Sequence, residues 1–247
     1  MRRVVLALLL ASGAAAEPQH SGFELMSPET QAMQRDDMAN PGMLWVEEGE
    51  ALWAAKAGTA ACADCHGDAA TGMRGVAARY PAFDTASGGP IDLAGRIQQC
   101  RAEHQGAAPL TRESAPLLAL TVYVANQSRG LPISPPEDPR LGPARARGEA
   151  LFTARRGQLN LSCAQCHDDN AGRHLAGAPI PEAHPTGYPL YRLEWQGLGS
   201  LQRRLRNCMA GVRAESYPYG APEYVEIEAF LMSRAAGMPL ETPAVRP

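Results

Sequence analysis

Residues 148–167 read G-E-A-L-F-T-A-R-R-G-Q-L-N-L-S-C-A-Q-C-H, and residues 49–66 repeat the pattern as G-E-A-L-W-A-A-K-A-G-T-A-A-C-A-D-C-H. Each ends in C-x-x-C-H, the attachment signature of c-type haem: two thiols add across the haem vinyl groups and the following histidine ligates the iron. A zinc ribbon is excluded because it separates its two C-x-x-C pairs by roughly 15–20 residues, and here a whole domain intervenes. A thioredoxin-like site is excluded because no βαβ pattern surrounds either motif. The motifs therefore predict two covalently bound c-type haems. Cys62 and Cys65 hold one, with His66 on its iron; Cys163 and Cys166 hold the other, with His167 on its iron.

The repeat extends beyond the motifs. Tyr80-Pro81 recurs as Tyr188-Pro189, and Leu93, Arg96, Ile97 and Cys100 fall on Leu201, Arg204, Leu205 and Cys208 at a constant spacing. Ala115-Pro116 then matches Ala221-Pro222, and Gly130-Leu131-Pro132 matches Gly237-Met238-Pro239. Two such units are a tandem duplication and not a solenoid, which needs at least three. Apolar residues at helical spacing (Leu201, Leu205, Cys208; Tyr224, Ile227, Leu231; Leu117, Leu120, Val124) predict helices whose stripes are core. The expected fold is all-α, a tandem pair of cytochrome c-like domains with one haem each. Residues 47–130 form the first domain and 144–247 the second, joined by a proline-rich linker at 131–143 that cannot continue a helix.

Residues 1–16 have the form of a secretory signal: Arg2 and Arg3, then the apolar run Val4–Leu10, then Ala14-Ala15-Ala16. The run is far short of the roughly 20 residues that cross a bilayer, and no later segment qualifies. Removing it takes the formal charge from -3 to -5, since two arginines and no acid leave, and that balance does not suggest a nucleic-acid partner. Residues 17–46 read as an extension wrapping the surface or a partner. Aromatics are only 6% of the chain while 24 glycines and 21 prolines mark much of it as loop. The apolar core is thin for the length, and a buried porphyrin would fill it.

Two thiols remain, Cys100 and Cys208, at matching places in the two halves. A ligand position should survive duplication, and the other candidates for a sixth iron ligand, Met73, Met209, His104 and His184, have no like residue at the equivalent place. Cys100 is therefore expected on the first iron and Cys208 on the second; a disulfide between them is the alternative in an oxidising compartment. A thiolate ligand lowers the reduction potential by stabilising ferric iron. Around Cys208 the halves diverge, because Arg203, Arg204 and Arg206 precede it and Arg213 follows it, where Cys100 has Arg96 in front. Arg204 lies one helical turn before Cys208 on the same face. Its planar donor fork suits an oxyanion such as thiosulfate, or a haem propionate, as Arg96 at the matching position warns.

These residues resemble the dihaem SoxA family of bacterial thiosulfate oxidation: two C-x-x-C-H sites, a cysteine at the distal place in each half, and R-x-x-x-C-M at Arg204, Cys208 and Met209. The resemblance implies His66 and Cys100 on one iron, His167 and Cys208 on the other, a catalytic persulfide on Cys208, and thiosulfate binding by Arg204. It implies a periplasmic enzyme, an L-cysteine S-thiosulfotransferase, paired as a heterodimer with the small monohaem cytochrome SoxX. The enzyme would conjugate thiosulfate oxidatively to a cysteine of the carrier protein SoxYZ and pass two electrons to a cytochrome c. Two rivals share the haem motifs. A dihaem thiosulfate dehydrogenase would form tetrathionate and place a methionine on one iron, and a non-catalytic dihaem electron carrier would leave Cys208 unmodified.

Overall fold

The computed structural model describes residues 18–247; the expected signal at 1–16 lies outside them. Ten α-helices run through the described chain. They are α1 (Pro28–Arg35), α2 (Met43–Ala54), α3 (Cys62–His66), α4 (Ala69–Gly72), α5 (Leu93–Gln105), α6 (Ala115–Asn126), α7 (Gly142–Thr153), α8 (Cys163–His167), α9 (Leu201–Gly211) and α10 (Pro222–Arg234). The strands have two or three residues each. β1 (Ala82–Asp84) pairs antiparallel with β2 (Gly89–Ile91), and β3 (His174–Leu175) with β4 (Ala178–Pro179). β5 (Leu190–Arg192) lies between β6 (Gly197–Gly199) and β7 (Val245–Arg246). The fold is all-α with hairpins as connectors.

In each half the helix leading into the C-x-x-C-H packs on the last helix, α2 on α6 and α7 on α10. The glycine of the repeated G-E-A-L stretch makes the contact close. A Cβ on Gly49 would sit 2.2 Å from the Ala119 carbonyl oxygen, and one on Gly148 would sit 2.0 Å from that of Glu226. Below the crossing an aromatic pair recurs, Trp53 with Tyr123 at 5.9 Å between ring centroids and Phe152 with Phe230 at 5.4 Å, a contact of about 0.5–1.5 kcal/mol beyond its area. α6 is buried from Leu117 to Ala125, so it is core on all sides. In α10, Tyr224, Ile227 and Leu231 are buried as the stripe predicts. The α9 stripe differs: Leu201, Leu205 and Cys208 face a cleft.

The segment 131–143 is neither free nor wholly non-helical. Pro139–Leu141 form a 3-10 turn and α7 starts at Gly142, with Pro143 in the first turn, where its missing N–H has no intrahelical partner to lose. At the other end, Gly130 N donates to Leu240 O and Leu240 N to Leu131 O, while Gly237 N donates to Ile133 O and Ile133 N to Met238 O. Exchanging each residue for its counterpart in the other half turns the first two bonds into the second two. The repeated G-L/M-P segments therefore pair about a local two-fold axis, with Pro132 opposite Pro239.

The N-terminal extension ties down the C-terminal segment. Gln34 Oε1 accepts from Val245 N at 3.0 Å and from Arg246 Nη1 at 2.5 Å, and Asn40 Nδ2 donates to Pro243 O at 2.9 Å. Among the described residues no helix is long and apolar enough to cross a membrane.

Candidate active site

α8 is started by a reciprocal cap: Ser162 Oγ accepts from Gln165 N at 3.2 Å, and Gln165 Oε1 accepts from Ser162 N at 3.0 Å. In the first half α3 keeps one arm of this arrangement, Ala61 N to Asp64 Oδ2 at 2.8 Å. These caps fix the single turn that carries both cysteines and the histidine. Burial pushes the Cys163 thiol up, with the nearby Cys208 adding to it.

His167 Nδ1 lies 2.6 Å from the Pro181 carbonyl oxygen. A carbonyl can only accept, so Nδ1 carries the proton and Nε2 is left as a lone pair, the arrangement that holds an imidazole for metal ligation. The ring faces an open cleft. Its walls are largely apolar, including Leu190, Leu201, Leu205 and Leu231, and Gly22, Leu25 and Met26 of the N-terminal extension close one side. Cys208 enters from α9, opposite α8. Burial pushes its thiol up, but a hydrogen bond with His167 and the charges of Arg204 and Arg192 outweigh that, and the net shift is downward. A histidine whose Nε2 lone pair faces the Cys208 thiol, and a thiol inclined to ionise, thus meet in an apolar cleft beside two attachment cysteines. That donor set fits a c-type haem.

In the first half Cys100 on α5 lies near Cys62 and Cys65; burial is the main cause that raises its thiol, against the pull of Arg96. Gln105 Nε2 is 3.4 Å from Cys62 Sγ, and the His66 ring lies 5.6 Å from that of Trp53. Cys100 and Cys208 are both free thiols, each beside the C-x-x-C-H of its own half. Met209 points away from the cleft into a buried cluster, with the Tyr224 hydroxyl 3.7 Å from its sulfur. Met73 packs on the cluster around Trp53 and Val122, and His104 is exposed in the last turn of α5. His184 does line the second cleft, with Nδ1 2.9 Å from the His20 carbonyl oxygen.

The arginines separate by the face of α9 they occupy. Arg204 lines the cleft, and among the described residues no carboxylate or hydrogen-bond acceptor engages its guanidinium. Arg203 stacks over Trp195 at 4.2 Å and Arg206 over Tyr219 at 4.5 Å, while Arg213 sits in a turn with φ 56. None of these three lines the cleft. Arg192, Arg246 and Tyr188 do; Tyr188 stood out in the sequence only as a mark of the repeat, and neither arginine was expected at the site. Burial and then the Arg204 charge hold Arg192 below the usual arginine range, and burial pushes the Tyr188 phenol up to about 12.

Two C-x-x-C-H helices, each beneath an α-helical pair and each facing a distal thiol, define a tandem c-type cytochrome. Residues 48–133 and 147–240 both match the family model described as SoxA/TsdA, cytochrome c domain, and such domains carry covalently attached haem. The L-cysteine S-thiosulfotransferase subunit SoxA of Pseudaminobacter salicylatoxidans is 38% identical, over 92% of this chain and 80% of its own. The same subunit from Rhodovulum sulfidophilum is 35% identical over 92% and 79%. The crystal structure of SoxXA from P. pantotrophus superposes with a TM-score of 0.89 at 29% identity, covering 93% of this chain and 87% of that one. The chain belongs to the SoxA family.

Proposed function

We propose that this chain is the dihaem subunit of a periplasmic L-cysteine S-thiosulfotransferase, working as a heterodimer with a small monohaem cytochrome of the SoxX type. In the reaction, thiosulfate and the thiol of a carrier cysteine on SoxYZ are joined by a new S–S bond. The carrier thiol loses its proton and two electrons leave, finally to a cytochrome c. The bound haem supplies the route by which those electrons depart.

The chain's own residues do the rest. Cys62 and Cys65 would attach the first haem, with His66 and Cys100 to hold its iron; Cys163 and Cys166 would attach the second, with His167 and Cys208 to hold its iron. Pro181 keeps the His167 proton on Nδ1, so that Nε2 is presented at a fixed angle. Arg204, without a carboxylate partner of its own, holds the thiosulfate dianion beside Cys208 by charge-assisted hydrogen bonds. Cys208 carries the persulfide, and its outer sulfur is where the conjugation takes place. The apolar walls exclude water and strengthen the electrostatic attraction.

The observation that carries this reading is Arg204, one turn before Cys208 and unpaired, in the cleft where Cys208 meets His167. The test is a peptide mass across Leu205–Arg213 from freshly purified complex. An added sulfur on Cys208 is expected, and it should be absent in Cys208→Ala together with thiosulfate conjugation to the carrier. Conjugation at the wild-type rate by Cys208→Ala would refute the assignment.

A further inference from the structure

The halves share a hairpin as well as a helix. β1–β2 and β5–β6 have the same register, with Asp84 opposite Gly89 in one and Arg192 opposite Gly197 in the other. Residues 84 and 192 are thus equivalent, as are Arg96 and Arg204 on the helices that follow. In the first half the Arg96 guanidinium has three partners: Asp84 Oδ1 at 3.1 Å, Gln99 Oε1 at 2.5 Å and the Tyr80 hydroxyl. Their counterparts are Arg192, Asn207 and Tyr188. The carboxylate has become a second cation, the amide has lost a methylene and makes no bond to Arg204, and only the phenol is kept. What closes up as a neutral structural pair in the first half is left open and doubly positive in the second.

Two guanidinium groups turned into one half-buried cleft repel each other, and in a low-dielectric site that repulsion is weakly screened. The neighbours do little to offset it. Arg192 Nε donates to the main-chain oxygen of the exposed Pro247 at 2.7 Å, its guanidinium lies 5.1 Å from the Trp195 ring, and Nη2 pairs at 3.0 Å with Glu194, whose side chain is 65% exposed; the ring carries no net charge, and contacts with partners so exposed contribute little. Arg246, the third arginine at the cleft, is already balanced by Glu241 at 2.8 Å, with both side chains half-buried. The uncompensated charge is that of Arg192 and Arg204.

Resting on the reading that this cleft takes thiosulfate, we infer that Arg192 is a second substrate-binding residue, which with Arg204 and the Tyr188 hydroxyl forms a site for the sulfonate end of a dianionic sulfur oxyanion. Three donor groups face three oxygens, and the sulfane sulfur is left toward Cys208. The exchange of Asp84 for Arg192 gives one half of a duplicated protein a substrate and denies it to the other.

The test compares Arg192→Gln, Arg192→Lys, Arg192→Asp and Arg204→Gln in the haem-loaded complex with its monohaem partner. The readouts are KM and kcat for thiosulfate with the carrier protein, thiosulfate binding by calorimetry, and the absorption spectrum and potential of the second haem. The sulfonate oxygens do not react, so their loss of contact should appear in KM. Arg192→Gln is expected to raise KM about tenfold with kcat within about threefold, and Arg192→Lys to fall between it and the wild type. Arg192→Asp, which rebuilds the first half's ion pair onto Arg204, should raise KM about a hundredfold, with the haem spectrum and potential unchanged. A wild-type KM in Arg192→Gln beside a raised KM in Arg204→Gln would overturn this inference and leave the site reading standing; a wild-type KM in both would overturn the two together. A shifted haem potential with unaltered KM would assign Arg192 to the haem and refute its role with substrate.

Discussion

Replacing Glu228 with glutamine is expected to flatten the pH dependence of stability between about 4.5 and about 8. Glu228 on α10 lines a cavity between the halves, together with Asp92, Arg112, Glu113, Tyr80 and Tyr188. Burial pushes its carboxyl up to about 8, the Asp92 charge adds to the rise, and Arg112 opposes it. Arg112 cannot do more, because its Nη1 is already 2.7 Å from Asp92 Oδ2. Glu228 is therefore protonated in the folded protein and ionised in the unfolded chain throughout that window. The folded state binds the extra proton, so the stabilisation is full below pH 4.5 and is lost as pH rises through about 8. From 4.5 to about 8, at about 1.4 kcal/mol per unit, the total is up to about 5 kcal/mol. At a urea m-value near 3 kcal/mol/M that corresponds to more than about 1 M in the unfolding midpoint. Urea titrations of haem-loaded wild type and Glu228→Gln at pH 5, 6, 7 and 8, followed by circular dichroism, should show the variant gaining on the wild type at each step. Parallel midpoints across the series would refute the assignment of a neutral Glu228.

Gly148→Ala is expected to destabilise by about 3 kcal/mol or more, since the new methyl lies within van der Waals contact of the Glu226 carbonyl and must push α7 off α10; the denaturation midpoint reads this, and Gly49→Ala should act alike in the first half. Asp92→Asn should cost about 1–3 kcal/mol, since it breaks the charged hydrogen bond to Arg112 while the neighbouring Glu228 can ionise in compensation, again measured as a midpoint shift. Arg203→Ala and Arg206→Ala should keep KM for thiosulfate within about threefold, because these side chains lean on Trp195 and Tyr219 outside the cleft. A large rise in KM for either would contradict the division of α9 into a cleft face and an aromatic face.

The tandem fold was legible because haem attachment imposes a spacing that chance rarely matches, and because the G-E-A-L stretch and the Cys100/Cys208 pair recur in order. The site was legible along α9, where one helical turn joins Arg204 to Cys208. It was less so across chain, since Arg203, Arg206 and Arg213 are near in sequence but point elsewhere, whereas Arg192 arrives from a hairpin. That arginine left a trace in the repeat: the spacing that carries Arg96 to Arg204 carries Asp84 to Arg192. The contribution of Gly22, Leu25 and Met26 had no such trace, because the extension has no counterpart in the other half and reaches the cleft through contacts with the C-terminal segment.

The exchange of hydrogen bonds between residues 130–133 and 237–240 also bears on how strong the contact between the halves must be. Two separate domains meeting about such an axis would lose translational and rotational freedom at every encounter, and their association would vary with concentration. Joined by a short covalent segment, each meets the other at an effective concentration of the order of millimolar. A contact too weak to hold free partners together then suffices. This gives the interface latitude to enclose a cavity with unlike polar residues on its two sides, Thr121 from one half and Glu228 from the other, and lets the halves drift apart in chemistry while keeping one shape.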